Sequence, residues 1–128
     1  MKYYFSKILH TSFDAAVALV VEALKKEGFG VLTDIDVRAT LKAKLGVDFQ
    51  KYRILGACST AHAYEALKKE NKIGTMLPCN VIVLEVREGE VEVAAIDPIA
   101  SMQAVENPAL VGIAQAVQQK LKSVVLNL

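Results

Sequence analysis

The sequence predicts an α+β fold: a two-layer sandwich in which a mostly antiparallel sheet carries long helices packed on one face. Three features predict it. Strand-like runs at 80–87 and 90–97 are separated only by Glu88 and Gly89, a two-residue turn whose Gly tolerates positive φ, so they form a hairpin. Two long segments, one toward each end of the chain, carry apolar residues on a single helical face. No repeat, low-complexity tract or linker interrupts the 128 residues, so residues 1–128 form one domain, large enough for a core that needs no metal or disulfide.

In chain order, residues 2–10 alternate polar and apolar positions and read as a strand. Thr11 or Ser12 caps a helix that runs to about Glu27, with Phe13, Val17, Val20 and Leu24 on one face and Lys25, Lys26 and Gly28 to stop it. Residues 29–36 form a second strand. Asp36 then sits as the cap of a short helix, 37–45, closed by Gly46. Residues 51–58 form a third strand, and Ser59 or Thr60 caps a helix with Ala63, Ala66 and Leu67 inward. Residues 81–84 are apolar on both faces, which marks an inner strand, whereas Glu90 and Glu92 alternate with Val91 and Val93 in the second hairpin arm. Asp97-Pro98 and Asn107-Pro108 both read as a cap followed by Pro at the first helical position, where its missing N–H costs nothing. The last helix places Leu110, Ile113, Ala114, Val117, Leu121 and Val124 in one stripe and Gln115, Gln118, Gln119 and Lys122 opposite.

Residues of the AVILMFWYC set make up 53% of the chain. With Gly counted and Tyr left out the figure is about 55%, above the usual 45–50% or so. The excess, together with the second sheet face that such a sandwich leaves uncovered, predicts a homodimer. A net charge of +1 supplies no broad basic field, so nucleic acid and anionic membrane are not expected partners. The N-terminus lacks a signal-peptide h-region and no window is apolar enough to span a bilayer, which predicts a cytoplasmic protein with its two cysteines reduced at rest.

Cys58 and Cys79 carry the strongest soft-metal and nucleophilic chemistry in the chain. Cys58 ends a strand just before a helix, where the helix dipole favours a thiolate, and Cys79 follows Pro78 at the start of the next strand. Antiparallel strands would bring the two sulfurs to one sheet edge. Parallel strands would hold them on the order of 25 Å apart. A spacing of 21 matches none of the zinc or redox patterns such as C-x-x-C, so on the residues alone buried, inert cysteines are the more ordinary outcome. His62, four residues after Cys58, reads as a solvated helix residue rather than a third ligand, and Asp36 and Asp97 have a sufficient explanation as caps. Dinucleotide, P-loop and nucleophile-elbow signatures are absent, and Gly28-Phe29-Gly30 is a helix stop.

The segments Ile35-Asp36-Val37, Tyr52 to Cys58 (YRILGAC), Leu77-Pro78-Cys79-Asn80 and Ile96-Asp97-Pro98 together resemble the DUF302 family over nearly the whole chain. The resemblance implies a TT1751-like fold, a small α+β sandwich that is commonly dimeric and has no assigned biochemical activity. It carries the family's motif cysteines onto Cys58 and Cys79, its motif asparagine onto Asn80 and its motif acids onto Asp36 and Asp97. Where the family pattern continues from GAC into Asn-Pro, this chain has Ser59-Thr60.

The expectation is a non-enzymatic binding module: a dimer whose edge site around Cys58, Cys79 and Asn80 holds a small ligand or a soft metal ion such as Cu(I) or Zn(II). One alternative is thiol redox chemistry, with Cys58 as nucleophile and Cys79 as resolving thiol. The other is an interaction dimer with inert core cysteines, whose partner surface is the Gln115, Gln118 and Lys122 side of the last helix.

Overall fold

The computed structural model describes residues 2–128. Five strands, β1 (Tyr4–Leu9), β2 (Gly30–Asp36), β3 (Tyr52–Cys58), β4 (Cys79–Arg87) and β5 (Glu90–Ile96), form one sheet in the order β1-β5-β4-β3-β2, and every neighbouring pair is antiparallel. The both-faced apolar run of β4 is thus explained: it is the central strand. Helix α1 (Phe13–Lys26) carries the chain from one sheet edge to the other, and α2 (Val37–Leu45) bridges β2 and β3. Helix α3 (Thr60–Lys69) and a 3-10 turn at Asn71–Met76 return the chain to β4. After β5 come the single turn α4 (Pro98–Ser101), a 3-10 turn at Pro108–Leu110 and α5 (Val111–Leu126).

Period-two alternation divides the sheet cleanly. Leu55, Val81, Val83, Val91 and Val93 are fully buried against Val20 and Leu24 of α1 and Leu121 and Val124 of α5. Each side chain of this kind stabilises by about 1.5–3 kcal/mol on burial. On the opposite face Ile8 and Ile35 are exposed. Across its middle row the register aligns Ser6, Ala94, Ile82, Ile54 and Ile35, and on one flank Ile8, Glu92, Leu84 and Tyr52.

Helix boundaries follow the expected chemistry. Ser12 Oγ accepts from the Ala15 N–H, Asp36 Oδ1 from Ala39, Asp97 Oδ1 from Ile99 and Asn107 Oδ1 from Ala109. Gly28 and Gly46, at φ +86° and +68°, end α1 and α2 in the conformation that costs Gly least. Two expectations fail on helix phase. Leu67 is 41% exposed, because α3 turns Ala66 to the core as expected but leaves Leu67 at the edge of that face. Gln118 is half-buried: its Nε2 donates to both carboxylate oxygens of Asp97, at 3.1 and 3.2 Å. No described helix is long and apolar enough to cross a membrane.

Candidate functional site

Cys58 and Cys79 meet at one end of the sheet. Because β3 and β4 are antiparallel, the last residues of one lie beside the first of the other, and Ala57 pairs directly with Cys79. Cys58 is one residue further on and half-buried, while Cys79 is 8% exposed. Both line a cavity of about 30 Å³ that reaches under α3 toward α4 and α5. Its wall is largely carbon, with Phe29, Ala66, Leu77, Pro78 and Val117 contributing to it, and the lining side chains that carry heteroatoms are those of the two cysteines, Ser59, His62 and Met102.

Burial, and then the charge of Cys58, push the Cys79 thiol up to about 11, so Cys79 is a neutral thiol at physiological pH. Ser59 holds the cap position of α3 without making a cap bond. Its Oγ lies 2.7 Å from His62 Nδ1 instead, which leaves the first N–H groups of α3 without a side-chain cap from Ser59, next to Cys58. The sequence pattern offers Ser59 or Thr60 as the cap and His62 as a solvated helix residue. The signal that links them is the i, i+3 spacing at a helix start, the same reach as a capping box.

The remaining sequence-predicted residues are elsewhere. Asn80 follows Cys79 by one residue, and alternation turns it to the outer face, where it lines a separate recess of about 280 Å³ with Tyr3, Tyr4, Ile82 and Glu92. Asp36 lies at the opposite end of the sheet: it pairs with Arg53 in the register where Cys58 pairs with Gly30, about 16 Å along the strand. It is occupied in capping α2. Asp97 stands at the same sheet end as the cysteines, but its carboxylate is taken by Ile99 N–H and Gln118. It fixes α4, and so places Pro98 and Met102 against the cavity. Of the five predicted residues, then, the fold gathers the two cysteines and disperses Asn80, Asp36 and Asp97. Among the described residues no group of three or more His, Cys, Asp or Glu stands together as a metal site.

Gly56 holds this corner tight. A Cβ there would collide with Thr33 Oγ1 and come within 2.7 Å of Pro78 Cγ, so the residue preceding Cys79 packs directly over the β3 backbone.

The profile of the family described as Domain of unknown function DUF302 matches residues 5–128. Among solved structures, the chain is similar to one described as an uncharacterized conserved protein DUF302 from Bacillus stearothermophilus, at 27% identity and a TM-score of 0.88, over 98% of this chain and 97% of that one. No curated protein matches. With the α+β architecture, the GAC and LPCN segments at one sheet end and a family match across almost its full length, the chain belongs to the DUF302 family.

Proposed function

We propose that the protein is a non-enzymatic binding module in which Cys58 and Cys79 hold a single soft monovalent metal ion, Cu(I) by preference. The size of the shared cavity carries this reading. At about 30 Å³ it is an order of magnitude below the roughly 300–1,000 Å³ of a pocket for a small organic ligand. It is nonetheless larger than the ~10–15 Å³ that one water-sized body needs. The two thiols, with the Met102 thioether also in the cavity wall, form a sulfur donor set that suits Cu(I), whereas Zn(II) takes four ligands in structural sites and three plus water in catalytic ones. A carbon wall also keeps out water and the harder ions that depend on it. Binding exchanges protons for the ion: two thiols and Cu(I) give a bis-thiolate complex of charge −1 and release two protons, and the N-terminus of α3 beside Cys58 favours that charge.

The same environment counts against thiol redox chemistry. A resolving thiol must attack as thiolate, and Cys79 at about 11 is ionised to roughly one part in 10⁴ at neutral pH. The test is an anaerobic Cu(I) titration of reduced protein against a chromophoric competing chelator. One ion taken up per chain, with uptake lost in Cys58→Ser and in Cys79→Ser, supports the proposal. Weak uptake equal in all three proteins ends it.

A further inference from the structure

We infer that Cu(I) reaches the cysteines from a small thiol carrier seated between α4 and α5, and that the Met102 thioether takes the ion from that carrier and passes it inward. The inference rests on the Cu(I) reading above and supplies the ion's way in. A second recess, of about 250 Å³, lies on the helical side of the molecule, between α4 with the chain that follows it and the first turn of α5. Two residues, Met102 and Ala114, line both this recess and the cysteine cavity, so they form the partition between the two. Ala114 is buried on a regular helix. Met102 is half-buried where α4 ends, and the chain beyond it stays out of helix and strand until Asn107, with the Val105 N–H donating to the Met102 carbonyl at 3.0 Å. An unbranched thioether on such a segment is the movable part of the partition, because it turns about three side-chain bonds without disturbing a helix or strand.

Size and chemistry divide the work between the two chambers. The inner one, at about 30 Å³, admits an ion but no carrier, whereas the outer one, at about 250 Å³, approaches the ~300 Å³ at which pockets for small organic molecules begin. The outer lining is apolar at Ile99, Leu110 and Val111, carries amides at Gln103, Asn107 and Gln115, and includes no charged side chain. It therefore suits an uncharged Cu(I)–thiolate complex and offers no carboxylate to a hard divalent ion. Cys79, 8% exposed, faces the inner chamber. A thioether is the apt first ligand there: it is soft enough for Cu(I) and binds without losing a proton, whereas each thiol must be deprotonated before it binds. The carrier's sulfur–copper bond breaks as the bond to Met102 Sδ forms, and that bond breaks in turn as copper bonds to Sγ of Cys58 and Sγ of Cys79. Of the two protons released, one returns to the departing carrier thiolate and the other goes to solvent. Copper stays Cu(I) throughout, and the neutral thioether yields to the two anionic sulfurs.

Anaerobic stopped-flow mixing of the reduced full chain with the Cu(I) complex of β-mercaptoethanol tests this, with transfer followed in the ultraviolet thiolate-to-copper absorption. Met102→Leu keeps nearly the same volume and removes the donor. It should slow transfer by about tenfold or more, the scale on which loss of a supporting group is felt at metal sites, while iodoacetamide labels Cys79 at the wild-type rate. A wild type that takes up no copper overturns the Cu(I) reading and this inference with it. Uptake in which Met102→Leu matches the wild-type rate overturns the entry route alone. Should faster labelling show that leucine loosens the partition, Val111→Trp decides. Val111 lines the recess and is 55% exposed, so an indole there fills the recess from its rim and leaves Met102 in place. Transfer should slow in that variant as well, and transfer at the wild-type rate refutes the route.

Discussion

Gly56→Ala tests the tight packing of the corner that carries the cysteines. A methyl group at this position meets Thr33 Oγ1 from β2 and Pro78 Cγ, the latter at 2.7 Å, well inside ordinary carbon contact. Overpacking of this kind costs about 1–3 kcal/mol. Alanine recovers about 0.5–1 kcal/mol through the lower backbone entropy of the unfolded chain, so the net destabilisation is about 0.5–2 kcal/mol. For a chain of this length, unfolding entropy near 2.1 cal/mol/K per residue converts that into a midpoint lowered by about 2–8 °C. Differential scanning calorimetry reads it directly. Because Pro78 immediately precedes Cys79, its displacement should also speed iodoacetamide labelling of that buried thiol. An unchanged or raised midpoint would refute the reasoning, since it would mean that Thr33 and Pro78 yield freely and do not seal this end of the cavity.

Three further outcomes follow from named groups. Cys79 is raised from 9.0 to about 11 in the folded protein, so the unfolded chain loses its proton first; stability is fully present below about pH 9, falls by on the order of 2–3 kcal/mol toward pH 11, and then levels. Urea unfolding of Cys79→Ala should lack that alkaline decline, and an identical decline would contradict the assignment. Asp97→Ala removes the α4 cap and leaves the Gln118 amide without its carboxylate, a loss of about 2–3 kcal/mol by the same measurement; a change below about 0.5 kcal/mol would deny Asp97 its structural role. The bidentate hydrogen bond from Arg53, at 2.7 and 2.6 Å, holds the Asp34 carboxyl below its ordinary value. Its contribution is therefore present above about pH 4 and lost as pH falls through the folded value. The pair is partly exposed, so Asp34→Asn should cost under about 1 kcal/mol at neutral pH, less in high salt, and nothing in strong acid.

Much of the architecture was legible because it depends on local chemistry. The Glu88-Gly89 turn, the caps at Asp36, Asp97 and Asn107, and the Gly46 stop are each set by a few adjacent residues, and all appear where the pattern places them. The central position of β4 follows from apolar residues on both its faces. Helix phase was less legible: Leu67 and Gln118 each lie near the boundary of an apolar stripe, and tertiary partners decide which way such residues turn. Within the site, antiparallel pairing was enough to bring Cys58 to Cys79, and strand alternation was enough to send Asn80 to the other face. Family motif positions alone do not distinguish residues that share a cavity from residues that share only a sheet. The cavity's size was not legible at all, because its wall is assembled from β3, β4, α3, α4 and α5, with Phe29 from the turn after α1.

X-ray absorption of the Cu(I)-loaded protein addresses the proposed function most directly. Two sulfur neighbours around copper, with no nitrogen or oxygen, and loss of that signature in Cys79→Ser are the predicted result. A copper environment of nitrogen or oxygen donors, or one that Cys79→Ser leaves unaltered, would contradict it.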